Sequence, residues 1–597
     1  MFGFRQVWCA DTEFGTKPDG SFGPDIRCLV AKEFHGTAPP IRMWIDELRH
    51  HTRPRFDIES SLFVAYNTTA ELQCFIELGW PMPRHIIDLW VEYRAITNGK
   101  RRRKDQTRLI DALTYYGCDH IGAVEKSEMQ QLAMRGPPYA ETEKQALLEY
   151  CETDVDALLD LLVKMAPDLK AFHPQEMLFR GRSMVAQTRS DRVGIPVDMP
   201  LIRAITEHRE AIRLAVIAQY EHDHRWEIFE DGVFRMERYA AWLRRQHIRL
   251  PPTGKQHQPT KDEKVLEHFA VKYPPLVPLR DCLRTLSALS RFKLPETTDG
   301  KSRFFANNFG TVTGRNAPPA SEFLFLLPGW AKFLIKPEPG WGVAYLDISG
   351  QEVVIGAAQS GDSRMLYDYY HDIYLQQAVK QGWAPAGAVR PTHDKERDRA
   401  KPLVLGINYG QTEYGLKDRL QVSQEEAAER IAVYMRSYPD FARRRRQIAN
   451  GVRRHARYFT SLGWPFWVCG AGSRQEHRNW ATIERAMFNH PIQSSGADMM
   501  RIIMIAATEA GIAVCCAVHD GFLIAASLHR LDADIERMTT IIKAAGAALL
   551  GEEILVGKPQ AIRWPDRFIP EDKKDSHRIW NLIINALERL TGHRHAA

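Results

Sequence analysis

The segment ERDRAKPLVLGINYGQTEYG, Glu396 to Gly415, sets Arg397, Lys401, Leu405 and Tyr409 at steps of four. On an α-helix each such step drifts only about 40° around the axis, so the four side chains share one side. Two cations at one end of such a face suit a triphosphate, and the ring at the other end suits stacking on a base. A plain solvated Arg/Lys stripe has the same spacing. Pro402 is awkward there, because proline removes an N–H and crowds the carbonyl four residues back. The pattern predicts a helix that either starts near Pro402 or kinks there.

Two aspartates flank this segment at a distance. Upstream, GWGVAYLDISGQEVVIGAA (Gly340–Ala358) reads as an apolar strand ending at Asp347, then a helix. Downstream, CCAVHDGFLIAA (Cys515–Ala526) reads as strand, polar turn, strand. Taken singly, Asp347 is a helix N-cap and Asp520 a turn residue before glycine. Taken together, they can lie on neighbouring strands of one sheet and hold two Mg2+ (or Mn2+) ions roughly 3.5–4 Å apart. That arrangement activates a 3′-hydroxyl and stabilises a departing pyrophosphate.

In this order the three segments resemble motifs A, B and C of the family A, DNA polymerase I-like, DNA polymerases. The family's R-x3-K-x7-YG pattern is matched by Arg397, Lys401, Tyr409 and Gly410. TVTGR (Thr311–Arg315) resembles the T-x-TGR motif at the thumb–palm junction. ERAMFNHPIQSSGADMM (Glu484–Met500) resembles the palm helix that carries primer–template contacts, and PPTGKQHQPTKDEKVL (Pro251–Leu266) resembles the tip of the thumb. The resemblance covers about residues 176–570. It implies that Asp347 and Asp520 hold metal, that Lys401 contacts the triphosphate and donates a proton to pyrophosphate, and that Arg397 binds phosphate. Tyr409 would close over the templating pair, and Glu352 would block a ribose 2′-hydroxyl. His519, Arg315, Arg485, Asn489 and Gln493 would touch primer, template or nucleotide.

The N-terminal part has its own acids. RQVWCADTEF (Arg5–Phe14) reads as a strand with Asp11 and Glu13 at its end, on one side because the strand period is two. SLFVAYNTTAELQCFIELGW (Ser61–Trp80) reads as strand, turn and helix, and Glu71 stands where a capping box from Thr68 would place it. ETEKQALLEYCETDVDALLDLLVKM (Glu141–Met165) reads as a long amphipathic helix with Tyr150 and Asp154 on one face. Pro167 and Pro174 are expected to break the pattern after about Ala166. Asp11, Glu13, Asn67, Glu71, Tyr150 and Asp154 match, in order, the 3′–5′ proofreading exonucleases with four acidic residues. That likeness implies an RNase H-like domain holding two divalent metals (Mg2+, Mn2+ or Zn2+) on Asp11, Glu13 and Asp154, with Tyr150 orienting the attacking water.

The expected fold is α/β plus α+β and multidomain. The exonuclease would occupy 1–175, a connector and helical thumb 176–315, the first part of the palm 316–365, the fingers 366–475, and the second part of the palm with a C-terminal helix 476–597. The chain departs from the family pattern at several points. Glu71 replaces an Asp, Gly521 replaces the second acid of motif C, Leu405 stands where the family has Phe or Tyr, and Gly350 replaces a polar residue. No 5′ nuclease is expected ahead of the exonuclease, and the compactness and motif variation resemble a bacteriophage replicative enzyme.

Composition sets the outer limits. The 597 residues are 44% hydrophobic and 26% charged with a formal net charge of +6, which suits several soluble domains rather than one core. The runs Lys100–Lys104 and Arg443–Arg446 are candidate contacts to a DNA backbone or simply solvated faces. Nine cysteines without a CxxC pair read as buried free thiols in a reducing compartment. The implied partners are primer–template DNA and dNTPs, with helicase, single-strand binding protein or a processivity factor as accessory candidates. A monomer in the cytoplasm, the host's if viral, without membrane contact is expected. The alternative functions are an exonuclease whose degenerate polymerase domain only binds DNA, a single-subunit RNA polymerase, and a purely structural nucleic-acid-binding protein.

Overall fold

The computed structural model describes residues 2–100, 106–118, 123–253, 258–292, 294–455, 457–468, 480–570 and 573–593. The chain forms two compact units. The first comprises Met1–Val193, Ala306–Ala317 and Ala344–Ala561; the second comprises Gly194–Phe305, Pro318–Val343 and Ile562–Ala597. No helix among the described residues is long and apolar enough to cross a membrane.

The first unit opens with a five-stranded sheet. Its strands are β1 (Val7–Thr16), β2 (Pro24–Glu33), β3 (Ile41–Trp44), β4 (Leu62–Ala65) and β5 (His85–Asp88), in the order β3-β2-β1-β4-β5. β1, β2 and β3 pair antiparallel, whereas β4 and β5 join in parallel. Strands β4 and β5 are almost wholly buried, as parallel strands covered on both faces must be. Helices α1 (Thr69–Glu77), α2 (Leu89–Thr97), α3 (Glu141–Leu169) and α4 (Pro174–Val193) supply the covering layers. Asp88, at the end of β5, caps α2 by accepting from the amides of Trp90 and Val91.

Pro167 does not end its helix: α3 runs through it to Leu169. Val163, four residues back, is 53% exposed, so water can take the carbonyl that the proline leaves unpaired. Helix α4 starts on Pro174, where a missing N–H costs nothing. It packs against β5 so closely that a Cβ on Gly181 would lie 2.0 Å from the Ile86 carbonyl oxygen.

The same unit holds a second sheet. Strand β6 (Trp341–Asp347) leads into helix α5 (Gln351–Ser360), and helix α6 (Asp394–Asn408) follows. A small antiparallel hairpin, β7 (Arg457–Phe459) and β8 (Pro465–Trp467), precedes helix α7 (Trp480–Glu509). Strands β9 (Ala513–Val518) and β10 (Gly521–Ser527) form the antiparallel hairpin expected around His519, and β11 (Gln560–Arg563) closes the sheet in the order β9-β10-β6-β11. One core runs from Leu346 and Val353 through Leu403 and Ile407 to Met499, Phe522 and Ile542. Eight cysteines among the described residues are free, all but Cys118 buried, as expected.

The second unit is mostly helical. It includes Arg209–His224, Met236–Arg245, Leu276–Arg291 and Lys573–Thr591. The last of these packs against Arg209–His224, where Arg578 donates to Tyr220 and to Asp281. The polar hairpin expected between helices is present as Pro252–Thr253 paired with Gln258–Pro259, and residues 254–257 between them lie outside the described set.

Candidate active sites

Asp347 ends β6 and Asp520 sits in the turn between β9 and β10. Strands β6 and β10 are neighbours, and the Ile348 amide donates to the Asp520 carbonyl at 3.0 Å. Two residues 173 positions apart in sequence are thus joined across adjacent strands. Glu352, in the first turn of α5, is 6% exposed and completes a group of three acids. Burial, then the charges of Glu352 and Asp347, push the Asp520 carboxyl up to about 7. Gly350, the N-cap of α5, has φ +62, a conformation that favours glycine over the polar residue of the family pattern.

Glu352 has two partners. The Tyr409 hydroxyl donates to its Oε1 at 2.9 Å, and an Arg315 guanidinium nitrogen lies 3.5 Å from the same oxygen. Burial and the Glu352 charge together raise the Tyr409 phenol above its usual range.

Helix α6 begins well before Pro402, so of the two expected alternatives a start near the proline is excluded. Asp398, four residues back, is exposed, and water can satisfy its carbonyl. Tyr409 is the C-cap of this helix, and Gly410 follows at φ +74. Arg397 Nε donates to Asp372 Oδ2 at 2.6 Å, and its guanidinium lies 5.0 Å from the centre of the Tyr374 ring. Lys401 is exposed, with its Nζ 6.0 Å from the same ring. Leu405 is half-buried on the same side.

Of the residues expected to touch DNA, Gln493 is buried and Asn489 half-buried on α7, and Asn489 Oδ1 accepts no hydrogen bond. The Arg485 side chain lies outside the described residues. His519 is exposed at φ +52. The second basic run is partly spent within the fold: Arg443 pairs with Asp440, and Arg445 donates to the Ile407 carbonyl of α6 at 3.1 Å. In the first run Lys100 lies over the Trp467 ring, and residues 101–104 fall outside the described set.

A second acidic cluster lies at the first sheet. Asp11, Glu13 and Asp154 each offer a carboxylate oxygen, all within 4.8 Å of one another. The Tyr150 hydroxyl is hydrogen-bonded to Asp154, and burial raises its phenol well above the usual range. The Cys151 thiol lies 3.6 Å from Asp11 Oδ2. Glu71 is not used in a capping box: the Thr68 hydroxyl donates instead to Asp88 at 2.9 Å. Glu71 is 3% exposed, and its Oε2 accepts no hydrogen bond. Burial, reinforced by Asp11 and Asp88, raises its carboxyl well above the ordinary range. Asn67, four residues earlier, has φ +64, and its amide donates to Asp88 Oδ1 at 3.0 Å.

Sequence reading missed three neighbours of these sites. Asp372 and Tyr374, which engage Arg397, stand apart from every motif. Tyr345 lies over Gly521, where a Cβ would come 2.6 Å from the Tyr345 hydroxyl and 2.8 Å from the Leu346 carbonyl. The alternating strand pattern places Tyr345 and Asp347 on the same face, which was the available signal.

DNA polymerase I of Treponema pallidum (strain Nichols) is 26% identical over 423 residues, covering 66% of this chain and 41% of that protein. The thermostable DNA polymerase I of Thermus thermophilus is 29% identical over 201 residues, covering 33% of this chain and 24% of that one. The matches therefore span less than half the length of these relatives. Among solved structures, the POL domain of Pol1 from M. smegmatis, in complex with DNA primer-template and dNTP, superposes with a TM-score of 0.71 at 18% identity, over 94% of this chain and 95% of that one. The profile of DNA polymerase family A matches residues 246–556, just over half of the sequence and inclusive of both aspartates, α6 and α7. The chain belongs to DNA polymerase family A.

Proposed function

We propose that this chain is a template-directed DNA polymerase that adds dNTPs to a primer 3′ end, with 3′–5′ proofreading, in DNA replication. The observation that carries the reading is the meeting of Asp347, at the end of β6, with Asp520, in the turn that leads into the adjacent strand β10, beside Glu352. Primer–template DNA and dNTPs are the substrates it implies.

The donor set fits divalent cations. Asp520 is buried among like charges, and such a carboxylate is relieved by a cation as well as by a proton. Asp347 and Asp520 would hold the ions, Mg2+ or Mn2+. When bound, two such ions lower the cost of charge on the attacking and departing oxygens. Lys401 and Arg397, on the exposed side of α6, would bind the triphosphate, with Lys401 placed to give a proton to pyrophosphate. Tyr409 and Glu352, held together by their hydrogen bond, would form a wall at the sugar and templating pair, and Glu352 would exclude a 2′-hydroxyl. Arg315, Arg485, Asn489, Gln493 and His519 would line the primer, template and nucleotide.

Asp11, Glu13 and Asp154 would hold the nuclease pair of metals, Glu71 would supply the fourth acid, and Tyr150 would orient the water. The buried Glu71 Oε2 without a hydrogen bond supports that assignment, since a buried polar atom ordinarily has a partner.

A labelled primer–template in Mg2+, with and without dNTPs, tests the reading. Asp347→Ala should abolish extension and leave primer degradation intact, and Asp11→Ala should do the reverse. Loss of both activities in either variant refutes two separate sites. Degradation without extension by the parent chain would leave only the nuclease.

A further inference from the structure

Arg315 sits in a loop, Ala306–Ala317, closed by a bridge between Asn307 and Ala317. Within it the Arg315 amide donates to Thr311 Oγ1 at 2.9 Å, and the Thr311 amide donates to the Arg315 carbonyl at 3.2 Å. The guanidinium projects from this turn to Glu352. Exposed turns of this kind ordinarily open at little cost. This one is fastened by side chains that come from elsewhere.

Two of the fasteners belong to the nuclease-type part of the unit. Arg94, on α2, donates to the Asn308 carbonyl at 2.9 Å. Asn98, the C-cap of α2, spends its side-chain amide on two carbonyls, Val312 at 2.7 Å and Pro465 at 2.6 Å. Both residues are buried. From the other side, Trp464 Nε1 donates to the same Val312 carbonyl at 3.0 Å, and Arg501 of α7 donates to the Gly314 carbonyl. The Trp464 ring also covers Gly314, where a Cβ would come 2.9 Å from it. Three carbonyls of one short loop are therefore held by four buried side chains, half of them from the helix that follows β5.

We propose that Asn98 and Arg94 are positioning residues for Arg315, so that the nuclease-type fold sets the geometry of the nucleotide site. This inference rests on the polymerase reading above. Neither residue touches substrate; each acts through the backbone that carries Arg315. Arg315 in turn shares Glu352 with Tyr409, so a shift of the loop reaches the wall at the sugar.

The test is a double-mutant cycle on the full chain, read as kcat/KM for a correct dNTP in primer extension. Asn98→Ala should lower it on the order of ten-fold, since small misplacements near chemistry are costly. Arg315→Ala should lower it further. The double variant should be no worse than Arg315→Ala alone, because a residue that acts only through Arg315 has nothing left to position. Primer degradation without nucleotides should stay at the parental rate in Asn98→Ala. Trp467→Phe is the control: it removes the indole donor to the Ala95 carbonyl of the same helix without touching the loop, and should extend like the parent. Should Asn98→Ala not fold, Trp464→Phe deletes the other donor to Val312 and should show the same non-additivity. Full additivity with Arg315→Ala, parental extension by Asn98→Ala, equal loss of both activities, or an equal defect in Trp467→Phe would each overturn the proposal. A parent chain that fails to extend any primer removes the polymerase reading, and this inference with it.

Discussion

Replacing Gly521 by alanine should damage extension more than its single added methyl suggests. Gly521 is not in the left-handed region, so the requirement is space and not backbone freedom. The new Cβ would meet the Tyr345 hydroxyl at 2.6 Å, the ring carbon bearing it at 2.8 Å and the Leu346 carbonyl at 2.8 Å. Ordinary carbon contacts lie at about 3.5–4.0 Å, so about 1 Å must be found. Tyr345 can yield part of it, but the Leu346 oxygen is backbone of β6, one residue before Asp347. Strands β6 and β10 must part; Asp347 ends the first and Asp520 immediately precedes the second. Overpacking of this kind costs about 1–3 kcal/mol of stability. A displacement of about 1 Å between paired acids costs on the order of 10²-fold in rate. Thermal unfolding and single-turnover extension at saturating dNTP would measure the two effects. Tyr345→Phe should not rescue Gly521→Ala, since the ring carbon and the carbonyl remain. Parental extension by Gly521→Ala would refute the argument, and with it the explanation of why this chain has no second acid in its motif C.

Two further substitutions probe the buried charges of the first unit. Asp191, on α4, is pushed up to about 7 by burial, against a hydrogen bond from Gln187 that lowers it. Its folded value lies above its unfolded one, so its stabilising contribution is complete below the ordinary 3.8 and is lost as pH rises through about 7. Between pH 6 and 8 the parent should lose about 1.4 kcal/mol from this group, and Asp191→Asn should flatten that slope in urea unfolding; an unchanged slope refutes the assignment. Glu92 and Arg180 form a doubly hydrogen-bonded pair at 2.7 and 2.8 Å, 0% and 2% exposed. Glu92→Gln should cost about 3 kcal/mol, and Glu92→Leu with Arg180→Met much less, because the single change strands a buried guanidinium. A Glu92→Gln midpoint equal to the parent's would contradict this.

Much of the architecture was legible because its signals are local. Apolar runs ending at polar residues marked β1, β6 and the β9–β10 hairpin, and helical spacing marked α3 and α6. The pairing of Asp347 with Asp520 came from motif order alone, and the structure adds the strand contact that joins them. What escaped was set by tertiary neighbours. Glu71 had two readings, a capping acid and a member of the acidic set, and the bond from Thr68 to Asp88, at the end of the next strand, removes the first. Gly521 was legible only as a missing acid, and the Tyr345 hydroxyl that occupies the space of a side chain there was not. Pro167 and Pro402 were weighted as breakers, but the residues four back, Val163 and Asp398, are exposed, so solvent can reach the carbonyls they free. Arg445, read as part of a solvated or phosphate-binding run, also donates to the Ile407 carbonyl of α6. Asn98 gives no signal at all in one sequence, since a helix-ending asparagine is commonplace.

Helix α4 lies against β5 on one flank and against α7 and β9 on another. A chimera joined near residue 175 would lay a borrowed sheet on this helix, and Gly181 would meet a stranger's carbonyl. A junction after Val193 would instead press a borrowed helix onto α7. Neither seam is clean, so exchange of the N-terminal sheet between members of this family should succeed only when α4 travels with both of its neighbours' contact residues.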